Sequence, residues 1–447
     1  MSSDLPNYEQ AASIVAEHAR AILEKRVGQV EMVELTSASG HILASPLRAD
    51  DDQPPFPRST RDGYACRAAE ASAHIQLPIA GSTHAGQPPA GPLPPTSAWE
   101  IMTGAPVPAG ADCVVMLEHV ERSDNTIQLA PSRTIALGDN IVAQGAQSRR
   151  GDEILRPGLQ IGPAQIALAA SCGYSSVEVF SRPRIAILTT GDELVPIDAT
   201  PGPGRIRNSN APMLAALVAK FDGEPLVLPT SADNSEALDS ALARAAEADM
   251  ILISGGVSAG KYDLVEPALA RLGAQFHFTG VKIQPGKPLV FGQIPPGAES
   301  LEEDKKRQGT TSVVPISGHI DQRALASASE SIPFFGLPGN PISSAATFLL
   351  FAAPILAALA GSREAYPRFV LAQLARETDR KSKPGLTRFL PALCTFNPSV
   401  NALPQVTTVP WHGSGDLTAF AQSNCFLVIP EDAAHLDAGS IVRILLH

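Results

Sequence analysis

Apolar positions change their period several times along this chain, and each change predicts a different kind of element. Over residues 9 to 27, Ile14, Val15, His18, Ile22 and Leu23 lie near one face at helical spacing, which predicts an amphipathic helix. Between Pro46 and about Pro131 the helical period is lost. Prolines crowd "QPPFPRS" and "GQPPAGPLPPTSAW", and short β-prone runs such as "DCVVML" sit between them, so a β-rich unit with irregular loops is expected. "GDEILRPGLQIGPAQIALAASCG" returns to helix, with Pro163 near the start and Gly173 as the stop. The β-rich stretch, residues 49–143, therefore reads as an insert in a helical unit made of residues 1–48 and 144–182. Helices from the two sides of the insert are expected to pack together.

From Pro183 the pattern alternates. "RIAILTT", "PLVLP" and "MILIS" read as strands, and "SNAPMLAALVAKFDG", closed by Gly223, "NSEALDSALARAAEAD" and "LVEPALARLG" as helices. Strands alternating with helices of this length predict βαβ units, hence a parallel sheet with helices on both faces over residues 183–366. Residues 294–331 interrupt it with the charged "EEDKKR" and the low-complexity "ALASASES", and read as a mobile surface loop. "PFFGLPGNPISSAATF" resumes as strand, turn and helix. The most apolar segment, Ala345 to Gly361, contains Pro354 and is shorter than the roughly 20 residues of a spanning helix, so it reads as a core helix. After Tyr366, "FVLAQLA", "RFLPALCTF" and "NCFLVIP" predict a small C-terminal β domain, residues 367–447. The fold class is thus α/β multidomain, with a β-rich domain, an interrupted helical domain and a C-terminal β domain around the central sheet.

Composition narrows the partners. A chain of 447 residues with 34 basic and 45 acidic side chains has a formal charge of −11, so no basic footprint points to nucleic acid. An anion site on such a surface has to be built locally. The five cysteines are scattered without a CxxC, which suggests neither a zinc knuckle nor a disulfide framework, and reduced thiols in a cytoplasm are the expectation. "MSSDLPNYEQ" lacks the basic and apolar regions of a secretory signal, and the chain reads as soluble, with no membrane partner.

Candidate chemistry gathers in four segments that follow strands of the α/β unit: "TTGDEL" (189–194), "SGGVSAGKYD" (254–263), "QPGKP" (284–288) and "GLPGNP" (336–341). In an open parallel sheet such loops share the edge where ligands bind. Their glycines let backbone N–H groups approach an anion, which the helix N-termini beyond them also attract. A cradle is therefore expected from Ser254, Gly255, Gly256, Ser258 and Gly260 with Pro338, Gly339 and Asn340. Glu193 and Asp263 are hard-oxygen donors suited to Mg²⁺, and Lys282 and Lys287 can neutralise a phosphate or oxyanion. Asp233 precedes a helix and serves equally well as its cap. In the β-rich stretch, "RSTRDGYA" (58–65) and "MTGAPVPAGAD" (102–112) place Asp62 and Thr103 in turns, where each also has a purely structural reading. His412, in "WHGSGDLTAF", reads as a turn residue rather than a general base.

Taken in order, "RSTRDGYA", "TGAPVPAGAD", "RGDEILRPG", "TTGDEL", "SGGVSAGKYD", "QPGKP", "FGLPGNPISS" and "HGSGDL" resemble the successive motifs of the MoeA family, related to the E domain of gephyrin. The resemblance runs from the N-terminal helix to the last strands. It implies an elongated four-domain subunit with a molybdopterin-binding α/β domain. It further implies a homodimer whose site lies between that domain and the β-rich domain of the other subunit. The implied reaction inserts molybdate into adenylated molybdopterin, releases AMP and is assisted by Mg²⁺. A molybdopterin adenylyltransferase is the implied partner. By the same resemblance Asp62 and Thr103 match residues of the cleft, Glu193, Asp233 and Asp263 its acids, and Ser414 the contribution of the C-terminal domain. The chain departs from the family pattern at Arg61 (usually methionine), Gln284 (often lysine) and Gln147 (an acid), and its 294–331 segment is longer than usual. An adenylyltransferase or CinA-like enzyme shares the α/β domain alone, and a scaffolding protein is the remaining alternative. The "DGYA" and "TGAP" module argues against the first two.

Overall fold

A computed structural model describes residues 5–25, 29–87, 91–256, 264–295, 331–364, 366–378, 385–396 and 402–447. The α/β unit has strands β1 (Arg184–Thr189), β2 (Glu224–Val227), β3 (Met250–Ser254), β4 (Gln275–Thr279), β5 (Val290–Ile294) and β6 (Ile332–Leu337), in the order β2-β1-β3-β6-β5-β4. β2, β1, β3 and β6 pair parallel, whereas β5 runs against both its neighbours. The parallel sheet expected from the alternation is present in β2, β1, β3 and β6, with β5 as one reversed strand within it. Ile294 lies opposite Ile332, so the two ends of the expected surface loop meet; residues 296–330 lie outside the described residues.

Helices cover both faces. α1 (Asn210–Lys220) and α4 (Pro341–Leu359) pack on one with Ile185, Ile187, Leu252 and Phe335, and α2 (Ser235–Ala245) and α3 (Val265–Arg271) on the other with Ala186, Leu188, Ile251 and Ile253. Burial on both sides is why these strands read as unbroken apolar runs rather than alternating ones. α4 is long and apolar enough to span a membrane, yet most of it is buried inside the protein, in keeping with a core helix. The end of α1 differs in detail from expectation. Asp222, not Gly223, takes the left-handed conformation (φ 60°), and Arg182 holds its carboxylate at 2.6 Å. Gly223 is small for packing, since a Cβ there would lie 2.8 Å from Val218 Cγ1 and 3.0 Å from Leu356 Cδ1.

The first helix, Tyr8–Lys25, does not pack with the Pro163–Ser171 helix across the insert, as its position in the sequence suggested. Its apolar face, Tyr8, Ala11 and Val15, belongs to the core of the α/β unit. Tyr8 sits edge-on to Phe351 of α4 (5.9 Å between centroids) and to Phe389 of the C-terminal unit (5.5 Å). The flanks of the insert meet instead as two antiparallel strands, Val30–Glu34 against Ser176–Phe180, over a core that includes Leu43, Leu47, Leu155 and Val179. The insert carries its own six-stranded sheet around Tyr64, Cys66, Cys113 and Ile127. In the C-terminal unit, strands Phe369–Leu374, Thr387–Thr395, Gln405–Thr408, Cys425–Ile429 and Ile441–Leu446 close into a small barrel, because Thr387–Thr395 pairs with both Gln405–Thr408 and Cys425–Ile429. Closure leaves no unpaired edge among them.

If Tyr8 clamps the α/β and C-terminal units together, Tyr8→Ala lowers stability by about 3 kcal/mol, as for other buried aromatic truncations. Tyr8→Phe, which keeps the ring, stays within about 1 kcal/mol. Thermal unfolding followed by circular dichroism checks both; equal melting of Tyr8→Ala and the parent protein would remove the clamp.

Candidate active site at the carboxyl edge of the sheet

The strand ends β1, β3 and β6 deliver the loops "TTGDEL", "SGG" and "LPGN" to one edge. β4 runs in the same direction and brings "QPGKP" there by way of Val281–Ile283. In the first loop the Thr190 hydroxyl donates to Asp233 Oδ1 at 3.0 Å and the Asp192 N–H to Asp233 Oδ2 at 3.3 Å. The Asp233 N–H returns a bond to Asp192 Oδ1 at 3.2 Å. Asp233 is therefore no cap: Asn234 caps α2, accepting from the Ala237 N–H at 2.9 Å. A small cleft lies here, lined by Thr190, Asp233, Gly256, Leu264 and Val265 among others. Glu193 is exposed and folds back over its own turn, its Oε2 2.7 Å from where a Cβ on Gly191 would stand.

The second loop needs its glycines. Gly255 has φ 98°, and a Cβ on it would meet the Thr190 carbonyl oxygen at 2.5 Å; the backbones of the first two loops touch at this point. Gly256 (φ 63°) would press on Val265 Cγ2 at 2.9 Å. Gly339 is less constrained, with Gly255 Cα 3.7 Å from a Cβ placed there. Ser254 is buried, as is Pro338, while Gly339 and Asn340 are exposed. Ser258, Gly260 and Asp263 lie outside the described residues. The C-terminal unit reaches the same place. The Ile342 N–H donates to the Ser414 carbonyl at 3.0 Å, and Gly415 faces Asn340 Oδ1. His412 is exposed and bonds through its ring to Asp416, whose carboxylate caps the Leu417–Gln422 helix. The Ala419 and His412 backbone N–H groups, with the His412 ring, hold the Asp416 pKa below the usual carboxylate range.

Lys282 and Lys287 flank a turn that joins two units. Ile283 and Gln284 form a two-residue strand on Thr387 and Arg388 of the barrel. Gly286 (φ 112°) fits against Thr347 of α4, where a Cβ would lie 2.5 Å from Cγ2. The Lys282 N–H donates to the Pro6 carbonyl at 2.8 Å, so the N-terminal segment fixes its backbone. Lys287 is exposed and makes no ion pair among the described residues.

Asp62 and Thr103, 41 residues apart in sequence, are brought together in the insert. Asp62 Oδ1 accepts from the Thr103 N–H at 2.6 Å and from its hydroxyl at 2.8 Å. These bonds stabilise the carboxylate and lower its pKa. Among the described residues, no described hydrogen bond or ion pair of residues 49–143 reaches residues 184–364. Asn208, Asn210, Thr190 and Asp192 belong to the edge but were not singled out in the sequence. The two asparagines of "NSN" stand where a helix begins, and capping is the ordinary reading of such residues.

In chemical terms the edge offers glycine turns permissive of close approach, two lysines, and carboxylates that are hard-oxygen donors. This set suits a phosphorylated, multiply charged ligand. The chain matches the models for the MoeA N-terminal region (domain I and II) at residues 7–173, the probable molybdopterin binding domain at 186–358 and the MoeA C-terminal region (domain IV) at 373–447. It is 32% identical to a molybdopterin molybdenumtransferase of Nostoc, over 93% of this chain and 88% of that one. It is 30% identical to that of Haemophilus influenzae, over 93% of each. A solved molybdopterin biosynthesis protein of the MoeA type from Pyrococcus horikoshii superposes with a TM-score of 0.73 at 27% identity, covering 99% of this chain and 100% of that one.

Gly255→Ala is expected to cost about 2 kcal/mol in stability, because both the positive φ and a backbone carbonyl oppose the new methyl. Gly339→Ala is expected to stay within about 0.5 kcal/mol, since its methyl has room. Denaturant unfolding of the two variants checks the contrast, and equal costs would contradict it. For Asp62 the sign follows from a lowered native pKa. The stabilisation is present above the unfolded-state value and is lost as pH falls through the native one. Thr103→Val removes the hydroxyl donor and should raise the Asp62 pKa toward the ordinary range, as followed by carboxyl ¹³C titration; an unmoved titration would exclude the hydroxyl as a cause.

Proposed function

The chain belongs to the MoeA family of molybdopterin molybdenumtransferases, and we propose that it transfers molybdenum at the carboxyl edge of its α/β sheet, inserting molybdate into adenylated molybdopterin with release of AMP. The observation that carries this assignment of the site is the convergence of the loops after β1, β3, β4 and β6 on one edge. The substrate is anionic at its phosphates, and molybdate is an anion. A protein of net charge −11 has to meet both with local donors. Gly255, Gly256 and Gly339 allow the backbone to lie against the phosphate or the pterin, with Ser254, Ser258, Gly260, Pro338 and Asn340 completing the cradle. Lys282 and Lys287 offset the charge that develops as AMP departs.

Glu193 fits an oxygen-donor site for Mg²⁺, an ion that commonly takes one or two carboxylates plus phosphate and water. It is exposed at the edge and makes no hydrogen bond or ion pair through its side chain among the described residues. Asp263 is the second acid we assign to it. When bound, Mg²⁺ would neutralise phosphate charge. Asp233 sets the shape of the acidic turn through Thr190 and Asp192. Asp62, held ionised by Thr103, belongs to the opposite wall, and Ser414 to the rim contributed by the barrel.

The working unit in this proposal is a homodimer, each site made of one subunit's sheet edge and the other's Asp62–Thr103 pair. The exposed Asp62 carboxylate, without a described bond to its own α/β unit, supports it. We place the reaction in the cytoplasm, downstream of a molybdopterin adenylyltransferase; the five buried, free cysteines accord with a reducing compartment.

Purified protein given adenylated molybdopterin should release AMP when molybdate is added, read by chromatography of the nucleotide. No release from the folded parent protein would overturn the reaction assigned. Asp62→Ala and Asp233→Ala subunits, each expected to be inactive alone, then test the dimer. Random mixing makes half the dimers mixed, each with one unmutated site, so about a quarter of the parent activity returns. If both residues served one site within a single chain, verified mixed dimers would stay inactive.

A further inference from the structure

Two asparagines at the start of α1, Asn208 just before it and Asn210 in its first turn, make an arrangement that none of the motif loops contains. Asn208 Nδ2 donates to the Thr189 hydroxyl oxygen at 2.8 Å and to that of Thr230 at 3.2 Å, while its Oδ1 accepts from the Ala211 N–H at 3.1 Å. Asn210 Nδ2 donates to Ser254 Oγ at 2.8 Å and to the Gly339 carbonyl at 2.6 Å. Thr189 and Ser254 end β1 and β3; Thr230 and Gly339 lie just beyond β2 and β6. These are the four adjacent strands β2-β1-β3-β6, so one three-residue segment is hydrogen-bonded across all four carboxyl ends. Asn208 and Asn210 are 8% and 9% exposed and Thr189 and Ser254 1% and 2%, so water competes poorly for most of these bonds.

We propose that this segment fixes the ligand loops relative to one another, and that Asn210 is a positioning residue that sets the "SGG" turn against the "LPGN" turn. The proposal rests on the reading of this edge as the transferase site for its effect on substrate, but not for its effect on the loops. Asn208 has a second duty, since it also caps the start of α1. Asn210 has no such duty: it already lies in the first turn, and its Oδ1 has no partner among the described residues. Its carboxamide serves only the link between loops. Gly255 Cα stands 3.7 Å from a Cβ placed on Gly339, so the two turns are close enough for this one side chain to set their spacing. A loosened "LPGN" turn would carry with it Asn340 and, through the Ile342 N–H to Ser414 carbonyl bond, the rim of the barrel.

The partners differ in a way that permits a controlled test. Both of Asn208's amide acceptors are hydroxyls, which can rotate and donate to a carboxylate. One of Asn210's is the Gly339 carbonyl, which can only accept. Asn208→Asp and Asn210→Asp add the same charge to the same edge, but only the second sets a carboxylate against a carbonyl. Hydrogen–deuterium exchange without any ligand should show the Gly255 and Ile342 amides, which donate to the Leu337 and Ser414 carbonyls, exchanging about 10-fold faster in Asn210→Asp, and within about 2-fold of the parent in Asn208→Asp. Asn210→Ala, which removes both bonds without adding charge, should also accelerate exchange there while α1 keeps its protection. With substrate, Asn210→Asp should raise KM for adenylated molybdopterin about 10-fold over Asn208→Asp, with a smaller change in kcat. Equal exchange in the two aspartate variants, or protection unchanged in Asn210→Ala, would overturn the proposal. Because exchange is read without substrate, a parent protein that released no AMP would remove the transferase reading and leave this test standing.

Discussion

Burial of both faces of the central sheet is the constraint from which the rest follows. Ile185, Ala186, Ile187 and Leu188 are fully buried in sequence order, and Ile251, Leu252 and Ile253 repeat the pattern one strand over. Such strands have no solvent face on which to carry polar side chains, so polar chemistry is pushed to their ends. Parallel pairing then collects like ends on one edge, and the turns leaving it must change direction at once. Gly255 shows the cost of that sharp departure: the chain passes so close to the Thr190 carbonyl that no side chain fits.

The edge is finished by pieces from elsewhere in the chain. Tyr8 brings the first helix down onto the same core that holds Phe351 and Phe389, and Pro6 accepts the Lys282 N–H just before the chain crosses to the barrel. Ile283 and Gln284 then extend the barrel sheet beside Thr387 and Arg388. Ser414 meets Ile342 at the start of α4 from the other side. Gln284 stands in that borrowed strand with its side chain exposed, so the difference from the lysine often found there changes a surface charge while leaving the pairing intact.

Electrostatics works locally against the net charge of the molecule. Asp192 of the first loop is tied to Asp233 beyond β2 through reciprocal backbone N–H bonds. Asp62 is held ionised by the Thr103 donors, and Asp416 first by backbone N–H groups, with the His412 ring adding to them. Carboxylates bound in this way keep fixed positions without consuming lysines, and Lys287 stays exposed to solvent.

Local order was well marked in the sequence, because period and turn chemistry act over a few residues. The strands "RIAILTT" and "MILIS", the Pro163–Gly173 helix and the buried Ala345–Gly361 helix were all legible, and so was the order of motifs from which the family follows. Contacts between distant segments were not. That Asn234 and not Asp233 caps α2, that Asp222 takes the left-handed turn, and that the first helix lies on the α/β core depend on partners such as Arg182, Thr190 and Phe351, which no window around those residues contains. The "NSN" segment shows the limit best. By itself it looks like a helix cap, and only the side-by-side placement of four strands turns its two carboxamides into cross-links. A hydrogen bond is decided by a distance in space, and sequence spacing sets that distance only within a turn or two.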